Sequence, residues 1–139
     1  MSDLVIPNLT TFLVIDDCPS ILDAVKINLE QYGLKSEVLL AKDVACAKDQ
    51  LKIQERKNKL VEFIICDWNM PGESGLDMLK FIRGSQNYSK IPFIILTTVS
   101  EKENIIEAIQ YNVSDYIIKP WKPSELIKKI NEVYNINKK

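Results

Sequence analysis

The sequence predicts an α/β protein with a five-stranded parallel sheet, strand order 2-1-3-4-5, doubly wound by five helices. Three observations carry this. Short runs rich in β-branched and aromatic residues alternate with stretches of helical periodicity along all 139 residues. The links between them are short, so successive strands lie parallel through right-handed crossovers. Four of the most apolar runs end in polar groups: Phe12-Leu13-Val14-Ile15 in Asp16-Asp17, Phe63-Ile64-Ile65-Cys66 in Asp67, Phe93-Ile94-Ile95-Leu96 in Thr97-Thr98, and Tyr116-Ile117-Ile118 in Lys119-Pro120.

The first strand is read at Thr11 to Ile15. Pro19 falls in the first turn of the helix that follows, where proline is favoured. Ile21, Leu22, Val25, Leu29 and Tyr32 form its apolar stripe, and Gly33 ends it. Glu37 to Leu40 is the second strand. Asp43 caps a second helix carrying Val44, Ala47 and Leu51, and its polar end, Gln54 to Lys59, is expected in solvent. The third strand, Val61 to Cys66, runs into Asp67-Trp68-Asn69-Met70-Pro71-Gly72, a loop with strong turn chemistry. Leu76, Leu79 and Ile82 mark a third helix that stops near Gly84. The fourth strand is Pro92 to Leu96, and Ser100 with Glu103 has capping-box spacing for a fourth helix bearing Ile105, Ile106 and Ile109. The fifth strand is Asp115 to Ile118. Pro123 opens a last helix with Leu126, Ile127, Ile130, Val133 and Tyr134 on one face. Residues 1–139 read as one domain, with a core of about 9–134, a loose arm over Met1 to Asn8 and a frayed tail over Asn135 to Lys139.

Composition narrows the function. A net charge of -1 with scattered basic residues gives no field for binding nucleic acid directly. No apolar run approaches the ~20 residues of a membrane span. Cys18, Cys46 and Cys66 make neither a CxxC pair nor a zinc set, so they read as reduced thiols of a cytoplasmic protein. With no histidine, the chain has no histidine triad, no histidine metal site and no phosphohistidine of its own.

In an open parallel sheet, ligands bind beyond the carboxyl ends of the strands at the topological switch point. Strands 1 and 3 meet there, bringing Asp16, Asp17 and Asp67 together. Strand 4 adds Thr97 and strand 5 adds Lys119, which are expected on the far side of Asp67 from the other acids. Clustered carboxylates repel unless a cation joins them. An all-oxygen set suits Mg²⁺, with Mn²⁺ as a substitute. The ion and the Lys119 ammonium then balance three carboxylates and admit a phosphoryl group. A carboxylate can be the nucleophile that forms an aspartyl phosphate. Asp67, central in the set, is the expected acceptor. Asp16, Asp17, Asp67 and the backbone carbonyl of Asn69 are expected to hold the ion. Thr97 and Lys119 are expected to bind phosphoryl oxygens.

These residues, in this order, resemble the receiver domain of two-component response regulators, including its flavodoxin-like fold. The similarity covers roughly Leu4 to Tyr134. The stretches Asp67-Trp68-Asn69-Met70-Pro71 and Lys102-Glu103-Asn104-Ile105-Ile106 resemble the chemotaxis members of that family. The resemblance implies a sensor histidine kinase or histidine phosphotransfer protein as donor, Mg²⁺ dependence and slow self-dephosphorylation rather than enzyme turnover. It also implies a switch in which Thr97 moves toward the phosphoryl group and Tyr116 rotates inward, and a Lys119-Pro120 bond that is often cis. The chain departs from the usual pattern at Thr98, where a smaller residue is common, and at Cys18. Val99 and Asn69 occupy positions that tune phosphate lifetime.

The expected protein is a stand-alone receiver, monomeric or weakly dimeric, that docks an unidentified downstream protein. The docking face is expected to be the fourth helix, fifth strand and fifth helix, carrying Ile106, Gln110, Tyr111, Tyr116 and Lys122. Two alternatives differ in chemistry. A Mg²⁺-dependent aspartyl-phosphate phosphohydrolase wants a second acid where Asn69 stands. A phosphate-independent binding module on the same fold has no need of the whole acid set. Trp68 and Trp121 are read as partly exposed, and Cys66 as a small core residue.

Overall fold

Successive side chains on a strand point to opposite faces, so each apolar run of this chain feeds two cores. The computed structural model describes residues 4–138. In chain order the elements are β1 (Phe12–Ile15), α1 (Pro19–Gln31), β2 (Leu39–Ala41), α2 (Val44–Arg56), β3 (Phe63–Asp67), α3 (Gly75–Arg83), β4 (Phe93–Thr97), α4 (Lys102–Gln110), β5 (Asp115–Ile118) and α5 (Pro123–Lys138). A 3₁₀ turn over Val99–Glu101 leads into α4. The sheet is parallel, in the order β2-β1-β3-β4-β5.

One core lies between the sheet and α2 and α3. It takes Leu13, Ile15, Ile64, Cys66, Phe93 and Ile95 from the strands, and Ala47, Leu51, Leu79 and Ile82 from the helices. Ala108 of α4 joins its edge. The other core takes Phe12, Val14, Phe63, Ile65, Ile94 and Leu96 against Val25 and Leu29 of α1 and Leu126, Ile127 and Ile130 of α5. Both faces of the central strands are therefore covered, as a parallel sheet requires. Phe12 and Phe63 stack across β1 and β3 with ring centroids 4.9 Å apart.

The helix signals fare unequally. Asp43 caps α2 by accepting from the Cys46 N–H at 2.8 Å. Gly33 follows α1 at φ +115, a conformation that costs glycine little. The capping box expected at Ser100 and Glu103 does not form. Glu101 instead reaches back to the Thr98 N–H at 3.0 Å, and Ser100 Oγ meets Thr98 Oγ1 at 2.9 Å. A box missed in the sequence closes α3, where Ser74 and Asp77 cap each other.

Other boundaries shift for packing reasons. β2 begins at Leu39 rather than Glu37, because Lys35 and Ser36 still donate to the Asn8 carbonyl just before it. The N-terminal segment from Leu4 is not loose: Ile6 is buried, and the Val5 N–H donates to Asn131 Oδ1 at 2.9 Å. α5 stays helical through Lys138, past the expected fraying point. Gln54 is buried instead of solvated, and so is Trp68. Among the described residues, no helix is long and apolar enough to cross a membrane.

Candidate functional site

The carboxyl ends of β1, β3, β4 and β5 meet along one edge. Asp16 directly follows β1 with no exposure to solvent, and its Oδ1 accepts from the Cys18 N–H at 2.9 Å. That bond fixes the turn into α1 and leaves Oδ2 facing the site. Asp67 is the last residue of β3 and is only 5% exposed, whereas Asp17 is exposed. One carboxylate oxygen from each of Asp16, Asp17 and Asp67 lies within 4.8 Å of the others. The expected convergence of the three acids is observed.

Lys119 departs from the expected layout. Its ammonium does not stay on the β5 side of Asp67 but reaches across to both acids. Nζ lies 2.9 Å from Asp67 Oδ1 and 2.9 Å from Asp16 Oδ2. A long flexible stem allows this, and two buried carboxylates compel it. The Lys119-Pro120 bond is cis.

Electrostatics follow from this crowding. Burial raises the Asp67 carboxyl to about 6, with the Lys119 hydrogen bond opposing and the neighbouring Asp16 charge adding. Burial alone would lower the Lys119 ammonium, but its bonds to Asp16 and Asp67 outweigh that, and the net shift is upward. Burial pushes the Cys66 thiol well up, so this sulfur is core rather than a reactive group.

Thr97 ends β4 fully buried, and its Oγ1 donates to Glu101 Oε1 at 3.3 Å. Tyr116 is half-buried on β5, with the Lys129 ammonium 5.0 Å from its ring centroid. Lys129 is in turn paired with Asp115 at 3.0 Å. Asn69 is exposed in the loop beyond Asp67. That loop is pinned by Gly75, whose N–H donates to the Trp68 carbonyl at 2.8 Å. A Cβ on Gly75 would run into the Asp67 carbonyl and lie 2.9 Å from the Trp68 Cα. Of the expected docking residues, Ile106 is 65% exposed, Gln110, Tyr111 and Lys122 are exposed, and Tyr116 is half-buried.

Three contributors went unnoticed in the sequence. Glu101 gathers the Thr97 and Thr98 donors. Gly75 allows α3 to approach the end of β3. Asn28 of α1 accepts from Trp121 Nε1 at 3.0 Å and steadies the chain just after Lys119-Pro120. A cleft of about 930 Å³ lies at the opposite sheet edge among residues such as Lys59, Glu62 and Lys90. It holds no comparable cluster, so the chemistry points to the acid edge instead.

The Lys119-bridged acids at the carboxyl edge of a 2-1-3-4-5 sheet define a class. The chain belongs to the response regulator receiver domain family, whose model matches residues 12–131. Receiver domains are phosphorylation-dependent signalling switches with an acidic Mg²⁺ pocket, not conventional enzymes. Within the family the chain is similar to chemotaxis members. It is 36% identical over 121 residues to a "Chemotaxis protein CheY homolog" of Campylobacter jejuni, covering 87% of this chain and 89% of that protein. It is 33% identical to "Chemotaxis protein CheY-3" of Vibrio cholerae over 122 residues, covering 88% and 89%. A receiver domain protein from Clostridium thermocellum superposes with a TM-score of 0.77 at 32% identity, covering 94% of this chain and 98% of that one.

Proposed function

We propose that Asp67 is the phosphoacceptor of this receiver and that Asp16, Asp17, Asp67 and the Asn69 backbone carbonyl hold Mg²⁺. One observation carries the reading: three carboxylates converge within 4.8 Å, and one ammonium bridges two of them. So much negative charge beneath one cation is costly alone and is relieved by a divalent ion. When bound, Mg²⁺ supplies charge neutralisation and orients phosphoryl oxygens.

The chain's own residues do the rest. The donor, as membership of the receiver family implies, is a histidine kinase or a histidine phosphotransfer protein, since the chain carries no histidine of its own to hold the phosphoryl group. An ionised Asp67 oxygen attacks phosphorus. A P–O bond forms, the donor's P–N bond breaks, and the imidazole leaves with the electron pair and takes up a proton. Lys119 turns from the acids to a phosphoryl oxygen, and Thr97 donates its hydroxyl to another. Tyr116 then changes position, and the surface of α4, β5 and α5 docks a downstream protein. Hydrolysis of the acyl phosphate resets the switch slowly.

Incubation with acetyl phosphate and intact-mass analysis test this. The wild type gains one phosphoryl group with Mg²⁺ and none in EDTA, while Asp67→Asn gains none. Equal gain in both proteins refutes the assignment.

A further inference from the structure

One oxygen, Glu101 Oε1, collects three donors at the end of β4. The Thr98 Oγ1 hydroxyl donates to it at 2.9 Å, the Thr98 N–H at 3.0 Å and the Thr97 Oγ1 hydroxyl at 3.3 Å. Part of this is helix capping. Thr98 and Glu101 have capping-box spacing, and Glu101 reaches back to the Thr98 N–H as such a box requires. The Thr97 contact is not part of a capping box. It is a charge-assisted bond from a fully buried hydroxyl.

A threonine hydroxyl has one proton to donate. In this structure that proton has two candidate acceptors: the Glu101 carboxylate, and the Thr98 carbonyl at 3.5 Å, the limit of hydrogen bonding. A phosphoryl oxygen on Asp67 needs the same proton. We infer that Glu101 is an internal competitor of the phosphoryl group, a positioning residue that holds the Thr97 hydroxyl in the resting state. This rests on Asp67 being the phosphoacceptor. The two acceptors are mutually exclusive, so phosphoryl binding displaces Glu101 and weakens binding by whatever Glu101 contributes to rest. Because Glu101 closes the 3₁₀ turn into α4, its release also loosens the start of that helix.

Beryllofluoride, an inorganic phosphoryl mimic, tests this with Mg²⁺ present and ¹⁹F NMR as the readout. Two variants separate competition from capping and from charge. Glu101→Asp keeps the charge and the cap, as Asp77 does at Ser74, where Asp77 Oδ2 accepts from the Ser74 N–H at 2.8 Å. It falls one methylene short of Thr97. Glu101→Gln removes the charge. Both variants bind the mimic at least about fivefold more tightly than wild type. The Thr97 methyl signal of mimic-free Glu101→Asp shifts toward that of the mimic-bound wild type, and its urea midpoint stays where wild type has it. Tightening in Glu101→Gln alone is a field effect of the charge and overturns the competitor role. Unchanged or weaker binding in both variants leaves Glu101 as a cap only and also overturns it. A wild type that binds no mimic fails differently: it overturns the Asp67 assignment, and the competitor with it.

Discussion

Lys119 and Asp16, 103 residues apart in sequence, are joined by a 2.9 Å ion pair at the edge of the sheet. The Asp16 side chain has no solvent exposure and that of Lys119 only 18%, so neither charge has water as a ready replacement. Removing one partner of such a pair leaves the other uncompensated. Lys119→Met therefore destabilises the metal-free protein by about 3 kcal/mol. Mg²⁺ restores most of that, since a divalent ion replaces the missing ammonium. Urea denaturation in EDTA and in Mg²⁺ measures both effects. A Lys119→Met protein as stable as wild type in EDTA contradicts this reading of the bridge.

Asp67 makes stability depend on pH. Its folded value of about 6 exceeds the ordinary 3.8, so between the two the native state binds more protons than the unfolded state. Stability from this group is thus full below about pH 4 and falls as pH rises to about 6 and beyond. Asp67→Asn cannot titrate. Its stability relative to wild type in EDTA rises by on the order of 2 kcal/mol between about pH 4 and pH 7. A flat difference across that window contradicts the shift.

The same carboxyl governs metal binding. A protonated Asp67 is a poor ligand, so binding Mg²⁺ below about pH 6 must expel a proton. Apparent Mg²⁺ affinity falls toward about tenfold per pH unit there and levels off above. Titration calorimetry in buffers of different ionisation enthalpy reads the proton release directly.

How much of this was legible in the sequence depends on distance along the chain and on local ambiguity. Strand ends are fixed by apolar runs, and strand order by the doubly wound five-stranded fold that the alternation implies, so Asp16, Asp17, Asp67, Thr97 and Lys119 could be brought together before any coordinates. Glu101 was hidden by two overlapping caps. Thr98 with Glu101 and Ser100 with Glu103 have identical spacing, and only the path of the chain leaving β4 chooses between them. Asn28 and Trp121 are 93 residues apart, and neither carries a local signal. The reach of Lys119 to Asp16 was missed because strand order places a Cα, while a four-carbon stem decides where the charge goes.

Gly75 illustrates a constraint that only packing reveals. The helix start of α3 rides directly over the Asp67-Trp68 backbone, and no side chain fits between them. Gly75→Ala must push α3 away from the end of β3. The expected cost is about 2 kcal/mol of stability. The displacement of the loop after Asp67 also weakens Mg²⁺ binding. Thermal unfolding and Mg²⁺ titration of the variant check the two consequences separately.

The tie between α1 and the β5–α5 turn is similarly testable. Trp121→Phe keeps the aromatic bulk but deletes the indole N–H, leaving the buried Asn28 amide oxygen without that donor. Such an orphaned acceptor costs about 1–2 kcal/mol. Double substitution with Asn28→Leu recovers part of it, measured in a double-mutant cycle by urea denaturation.

The central claim is that Asp67, among three adjacent carboxylates, takes the phosphoryl group. Borohydride reduction of the phosphorylated protein, followed by peptide sequencing, tests it most directly, because an aspartyl phosphate is reduced to homoserine. The account predicts homoserine at position 67 alone, in the sample phosphorylated with Mg²⁺. Homoserine at position 16 or 17, or phosphate retained on a serine or threonine, would contradict it.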